Sequence, residues 1–434
     1  MKRDLIQQLT EWRTSVLRKP LILRGVRQVG KSWLIDEFGK TFTNYVKLNF
    51  EMQPAAMDFF EGDINITQLL EKLHLYTGQK IIPGETLLFI DEIQLCERAI
   101  IALRYFKEEL PALHIIAAGS LIDFSLKNIG MPVGRVQFLY LHPLSFGEFL
   151  TACGKQELRE YLKQGNVDLV IHHQALEYVK TYFWLGGMPA VISAWLAYKD
   201  LQICLDLQDE IIQTYKQDFE KYARGKLIDK VETVFNAVPN YLGEKFIYSK
   251  IDPDLRAATF KEALNCLEKA GIIHIVYHTS GQGVPLASGK DSKRFKVYFF
   301  DIGLAQRLLG LDLKKWMITP INVKYLGAIT EQFVAQEYIA YSSIKQSAEL
   351  YYWHREERNS SAEVDFLFLL NGEIIPAEVK AGIRGTLKSL NLFLQTHTHS
   401  AWGVKISEQP YSKHEPLVSI ALYGVEGLIK NWGI

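Results

Sequence analysis

Gly25-Val26-Arg27-Gln28-Val29-Gly30-Lys31-Ser32 fits the pattern G-x-x-x-x-G-K-[ST] at every fixed position. Pro20-Leu-Ile-Leu23 reads as a buried strand before it, and Trp33-Leu-Ile-Asp-Glu-Phe38 as a helix after it. A strand, a glycine-bearing loop and a helix in this order aim backbone N–H groups and a helix N-terminus at a phosphate. Lys31 adds a point charge able to reach the β- and γ-phosphates, and the Ser32 hydroxyl can ligate Mg²⁺. The expected ligand is ATP with Mg²⁺. The expected binding residues are Gly25, Arg27, Gln28, Val29, Gly30, Lys31, Ser32 and Trp33.

Leu87-Leu-Phe-Ile-Asp91-Glu92 supplies the partner element, four apolar residues ending in two acids. Such a run describes a buried strand whose C-terminal tip presents carboxylates. Asp91 is placed to support the metal through water. Glu92 is placed to polarise an attacking water, because neighbouring positions at a strand tip allow hydrogen-bond reach.

The rest of the chain sets bounds. At 434 residues it can hold several domains with buried cores. It is 48% hydrophobic and 23% charged with zero net charge, which is ordinary for a globular protein and excludes a global field that would draw in nucleic acid or acidic membrane. Cys96, Cys153, Cys204 and Cys266 stand far apart, with neither disulfide nor metal-site spacing, which suits a reducing cytoplasm. Met1-Lys-Arg-Asp opens an amphipathic helix rather than a signal peptide, and no apolar run is long enough for a membrane span. The expectation is a cytoplasmic protein with no membrane contact.

Tyr45–Phe50, His114–Ser120 and Gln137–Leu141 add further strands with helical segments between them, the pattern of a parallel sheet covered on both faces. With the loop and the Asp91-Glu92 strand, this order resembles the AAA+ and related ATPases, in which a further strand lies between those two in the sheet. The resemblance implies that Ser120 is a polar sensor of the γ-phosphate or the attacking water. Arg135, in Met131-Pro-Val-Gly-Arg135, is a candidate for stabilising transition-state charge, in cis or from a neighbouring subunit. A small residue ending a strand and a solvated loop arginine are the plain alternatives for these two. Gly134-Arg135 leading into Leu141-His-Pro-Leu-Ser-Phe-Gly-Glu-Phe149, with Trp184-Leu-Gly-Gly-Met-Pro189 and Tyr298-Phe-Phe-Asp-Ile-Gly-Leu304, resembles a prokaryotic family of AAA-type ATPases that carries a C-terminal region of unknown function.

Residues 151–235 read as helices, which in such a family would form a lid and connector, with Gly186-Gly187 as a tight turn rather than a hinge. Residues 236–310 suggest a winged helix. Phe260, Ala263, Leu264 and Leu267 form an apolar helical stripe, followed by a hairpin pattern through Lys293-Arg-Phe-Lys-Val-Tyr-Phe-Phe300. Ten Lys/Arg against seven Asp/Glu between Leu242 and Arg307 make a thinner basic patch than DNA-reading helices usually carry. A protein-contact role is therefore equally open. Lys290, Lys293 and Arg294 are the best phosphate contacts if duplex DNA binds.

In the C-terminal part, Glu363-Val-Asp365-Phe-Leu-Phe-Leu-Leu370 and Glu373-Ile-Ile-Pro-Ala-Glu378-Val-Lys380 flank Asn371-Gly372, a strong hairpin signal. A two-residue loop sets Asp365 opposite Glu378 and Glu363 opposite Lys380, all on one face. Opposed carboxylates repel unless a cation neutralises them, and Mg²⁺ with a lysine is the chemistry of metal-dependent phosphodiester cleavage. The arrangement resembles the PD-(D/E)xK nuclease fold, which often adds an acid on a preceding helix, here Glu331. The only nearby positive cluster is His354-Arg355 with Arg358. A hairpin carrying a Glu363–Lys380 surface pair is the structural alternative.

The expected architecture is α/β: a P-loop AAA-type domain over 1–150, a helical lid or connector over 151–235, a winged helix over 236–310 and a nuclease-like α/β domain over 311–434. The expected function is an Mg²⁺-dependent ATPase whose nucleotide state controls a DNA-interacting nuclease-like module. The competing expectation is a nucleotide-switched protein-interaction module whose C-terminal acids catalyse nothing. Oligomerisation is compatible with both.

Overall fold

The computed structural model describes residues 1–120, 122–125, 134–223, 225–251, 257–311, 323–342, 344–345, 349–357, 360–382 and 386–430. Met131–Val133 and Arg358 lie outside the described residues. The chain divides into two compact units, one of residues 1–142 with 343–347, the other of residues 143–342 and 348–434. Among the described residues no helix is long and apolar enough to cross a membrane.

The first unit is built on a five-stranded parallel sheet of β1 (Leu21–Arg24), β2 (Asn44–Asn49), β3 (Thr86–Asp91), β4 (His114–Ala118) and β5 (Gln137–Tyr140), in the order β2-β3-β4-β1-β5. β3 and β4 are buried at every position, as unbroken apolar runs between helix-covered faces must be. β2, at the edge, alternates buried and half-buried residues. β4 lies between β1 and β3, so the strand inserted between the loop strand and the acid strand is where the AAA-type resemblance implies. The helix Glu97–Glu109 turns Ala99, Leu103 and Phe106 inward at three- and four-residue spacing, against a core containing Ile22, Val46, Leu88 and Ile90. Burying one such phenylalanine stabilises by about 2–3 kcal/mol. Parallel strands place all their C-terminal ends along one edge, so the loop after β1 and the acids ending β3 share that edge.

The second unit contains a mixed eight-stranded sheet in the order β12-β13-β11-β10-β9-β8-β6-β7. Its strands are β6 (Ile273–Thr279), β7 (Lys290–Phe299), β8 (Tyr351–Glu357), β9 (Ser360–Leu370), β10 (Glu373–Val379), β11 (Gly403–Ser407), β12 (Ser412–His414) and β13 (Leu417–Ala421). Asn371 (φ 50°) and Gly372 (φ 85°) close the β9–β10 hairpin, with Leu370 opposite Glu373 and Phe366 opposite Ala377, the register read from sequence. The helix Ala257–Lys269 buries Phe260, Ala263, Leu264 and Leu267, and a β6–β7 hairpin follows it. That hairpin is no free wing. β6 pairs in parallel with β8 through Tyr277 and His278, so residues from 236–310 and from 311–434 share one sheet and one compact unit.

Two stretches noted in the sequence meet in this unit. The Asp301 carboxylate, at the N-terminus of the helix Ile302–Leu308, accepts the Gly187 N–H at 2.6 Å and the Leu304 N–H at 3.0 Å. Gly186 (φ 69°) packs so closely that a Cβ there would stand 2.2 Å from an Asp301 oxygen. Gly186-Gly187 is therefore a packed turn at the end of the helix Leu169–Leu185. Burial raises the Asp301 carboxyl to about 6, opposed by the backbone N–H groups it accepts.

Candidate functional site

The loop of the first unit is held in a conformation open to few sequences. Gly25 (φ 153°) lies against the Leu141 carbonyl, where a Cβ would approach to 2.3 Å, and Gly30 (φ 94°) begins the helix Lys31–Gly39. Gln28 takes a left-handed φ of 62° without being glycine, local strain of the kind that collects at ligand-binding loops. Val29 is buried, and its carbonyl accepts Nη1 of Arg3 at 3.0 Å. Arg27 is half-buried, while Gln28 and Trp33 are exposed. Lys31 is turned inward, donating to the Gly25 carbonyl at 2.9 Å and the Val26 carbonyl at 3.0 Å. Burial pulls its ammonium down to about 8, against the opposing attraction of Glu92 and Asp91.

The acid strand meets the loop directly. Ser32 Oγ donates to Asp91 Oδ2 at 2.7 Å, and Asn49 Nδ2, at the tip of β2, donates to the same oxygen at 3.2 Å. Asp91 Oδ1 accepts the N–H of Glu92 at 3.2 Å. Glu92 adopts a left-handed φ of 54°, and its Oε2 accepts Gln94 Nε2 at 2.5 Å. Gln94 also lies against Gly119, where a Cβ would collide with its Oε1 at 1.9 Å. Ser120 follows two residues after the β4 position that pairs with Asp91, so it sits on the same edge. Ser32, Asp91, Glu92 and Ser120 are thus gathered at one sheet edge. The hydroxyl–carboxylate pair offers hard oxygen donors of the type Mg²⁺ prefers.

Arg135 is not among them, which corrects the expectation of an arginine at the γ-phosphate within the chain. It precedes β5, at the opposite edge of the sheet, and its Nε donates to Glu108 Oε1 at 2.9 Å on the surface. Asn49, Gln94 and Arg3 were not read from sequence. Asn49 had a signal, since it ends a strand adjacent to the acid strand and pairs with Asp91 in register. Arg3 stands 26 positions from Val29, whose carbonyl it holds, and had none.

In the second unit Glu331, Glu363, Asp365, Glu378 and Lys380 come together, joined by a residue read only as part of a strand, Lys296 on β7. Its ammonium is 1% exposed and stands 2.6 Å from Glu363, 3.5 Å from Glu331 and 4.0 Å from Asp365. Tyr298, two residues on and so on the same face, donates its hydroxyl to Glu331 Oε2 at 2.9 Å. Asp365 Oδ2 accepts the Val379 N–H at 2.8 Å. Lys380 Nζ donates to Glu378 Oε1 at 2.5 Å, whereas Glu378 Oε2 is buried and among the described residues accepts no hydrogen bond. The pairing therefore differs from a Glu363–Lys380 bridge: Glu363 takes Lys296, and Lys380 takes its own strand neighbour Glu378. A lysine inside the apolar run Phe295-Lys-Val-Tyr-Phe-Phe300 was the available signal, because lysine is almost never fully buried unless paired.

Burial raises all three inner acids. Glu331 goes to about 7, relieved by Lys296 and opposed by Asp365, and Glu378 goes to about 8, reinforced by Asp365 and relieved by Lys380. Asp365 moves up as well, with Lys296 and Lys380 pulling back. Burial works against the charge on Lys296, yet Glu331, Tyr298, Glu363 and Asp365 outweigh it and hold its proton well above the ordinary lysine range. Among the described residues no three carboxylate, imidazole or thiol groups form a ready metal cage. The donor chemistry of this cluster suits a divalent cation, but in this arrangement an ammonium stands among the acids. On the β7 edge, Lys290, Lys293 and Arg294 are exposed; Lys290 lies 3.6 Å from the centre of the Tyr277 ring and Arg294 Nε 3.5 Å from Asp291.

Residues 17–150 match the model of a family described as an AAA domain, and residues 176–315 and 326–423 match two families, each described as a domain of unknown function. No curated protein matches the chain. Among solved structures, the Walker-type ATPase of Pyrococcus abyssi aligns at 16% identity over 71% of this chain and 95% of its own, with a TM-score of 0.45. The Orc1 protein of Aeropyrum pernix, in complex with DNA, aligns at 11% identity over 72% and 93%, with a TM-score of 0.30. Over residues 17–150 the family match, the sheet order and the loop–acid contact agree with one another, and each is similar to what an AAA-type P-loop domain has.

Proposed function

We propose that the chain hydrolyses ATP with Mg²⁺ in its first unit and that this nucleotide cycle controls a nuclease-like carboxylate site in its second. The Ser32–Asp91 contact at 2.7 Å carries the first half. It is the hydroxyl–carboxylate pair that would hold Mg²⁺, which when bound shields charge on the β- and γ-phosphates. The loop amides from Arg27 to Trp33 cradle the phosphates, and Lys31 swings from the loop carbonyls to them. Glu92, steadied by Gln94, accepts the proton of the attacking water, and Ser120 orients that water or the γ-phosphate. The convergence of Asp365, Glu378, Lys380 and Glu331 supports the second half, with Lys290, Lys293 and Arg294 as contacts for a DNA backbone.

A second reading is a nucleotide-switched protein-binding module with an idle C-terminal cluster. The ammonium of Lys296 among the acids favours it. ATP hydrolysis measured with and without duplex DNA, with Glu92→Gln as control, separates the two. Stimulation by DNA that disappears in the variant supports the first, and hydrolysis indifferent to DNA supports the second.

A further inference from the structure

The acid cluster of the second unit has a neutralising cation of its own, and that cation comes from a segment the nuclease-like motif does not include. Glu331, Glu363, Asp365 and Glu378 stand against Lys296 and Lys380, an excess of two negative charges when every group is ionised. The two lysines divide the work. Lys380 covers one oxygen of Glu378, and Lys296 faces the other three acids from β7, the edge strand of the sheet. The second oxygen of Glu378, in a side chain only 5% exposed, is left without a hydrogen bond inside this cluster. A buried acceptor with no donor carries a desolvation cost that a bound cation would remove. The ammonium of Lys296 stands among Glu331, Glu363 and Asp365.

We propose that Lys296 is the resident counter-ion of this cluster and that a divalent cation binds there only in exchange for it. The inference rests on the nuclease-like reading of Asp365 and Glu378. A fixed positive charge within about 4 Å of the same carboxylates strongly opposes the binding of a second cation there. Lys296 is thus a positioning residue. It holds Glu331, Glu363 and Asp365 in place when no metal is bound and sets how much metal is needed to displace it.

The test uses the full-length, nucleotide-free protein, stripped with EDTA and titrated with Mn²⁺, read by the thermal midpoint and by the electron paramagnetic resonance of free Mn²⁺. Lys296→Met is expected to melt lower than wild type in EDTA, to recover with Mn²⁺, and to half-saturate at a Mn²⁺ concentration at least tenfold lower. Adding Asp365→Asn should cancel that gain. If Lys296→Met does not fold, the double variant Lys296→Met/Glu363→Gln removes the ion pair as a neutral unit and should show the same tighter binding. Equal half-saturation in wild type and variants, still dependent on Asp365, would overturn the exchange and leave the cluster a metal site. No Asp365-dependent binding in any of the proteins would overturn both the exchange and the nuclease-like reading.

Discussion

Arg135→Ala should leave ATP hydrolysis nearly unchanged. Gln137 of β5 pairs with Leu21 and Tyr140 pairs with Arg24, the last residue before the phosphate loop. Arg135 lies five positions before Tyr140, so at about 3.3 Å per extended residue its backbone is about 17 Å from the loop. A unit charge at that distance through water contributes about 0.2 kcal/mol before screening, and the separation exceeds a physiological Debye length of about 8 Å. The rate should therefore change by less than about twofold, against the ~10³–10⁵ that an arginine at the γ-phosphate supplies. The pair with Glu108 that the substitution removes is exposed and adds little to stability. Steady-state kcat at saturating ATP, measured at several protein concentrations, reads the effect. A fall of tenfold or more would refute the placement of Arg135 outside the site. If that fall depended on protein concentration, the arginine would be acting on a neighbouring copy.

Glu92→Gln should retain ATP binding by fluorescence titration while lowering kcat by about 10²–10⁴, the usual contribution of a positioned base. Asn371→Ala, at φ 50° in the tight hairpin, should destabilise the second unit by about 1 kcal/mol in urea titration, and Asn371→Gly should not. Arg159 and Glu426 form a buried pair at 2.6 Å, each 5% exposed, so Glu426→Ala should cost about 3–5 kcal/mol by removing the carboxylate that neutralises a buried guanidinium. His114 is buried between Trp12 and Phe42, and burial, then the charge of Arg18, pulls it down to about 4. Its folded value lies below the unfolded one, so the unfolded chain takes up the proton first and stability is lost as pH falls from 6.5 towards 4. At pH 5 the loss should be about 2 kcal/mol, absent above pH 7, and His114→Gln should remove it from a pH series of unfolding curves.

The first unit was legible because its elements are local and its signals periodic. Leu87–Ile90 and His114–Ala118 are continuous apolar runs, and the loop between β1 and its helix is fixed by glycines whose φ values no other residue takes easily. The β9–β10 register followed from Asn371-Gly372 alone, since a two-residue loop leaves no freedom to slip. What could not be read was pairing across long separations. Nothing in Tyr277-His278 says that β6 will lie beside β8 rather than stand free, because a parallel neighbour is chosen by the whole sheet. The same limit hid Arg3 beside Val29 and Arg135 beside Glu108. A Gly-Arg stretch says which residue is available, and only strand direction says at which edge of the sheet it stands.

The two acid sites meet the same electrostatic problem in opposite ways. In the first unit the lysine is folded onto carbonyl oxygens of its own loop, and Asp91 is held by a hydroxyl and an amide, neutral donors that a metal or a phosphate can replace without displacing a charge. In the second unit a cation is already present among the acids at 2.6–4.0 Å. Mg²⁺ at the first site would offset the charge of an incoming triphosphate, whereas at the second it must compete with a cation already held among the acids. Metal dependence measured on the intact chain should accordingly separate into two responses. The nucleotide-dependent one should vanish with Asp91→Asn, and the nucleotide-independent one should strengthen with Lys296→Met. A single response abolished by Asp91→Asn alone would leave the second unit to its lysines.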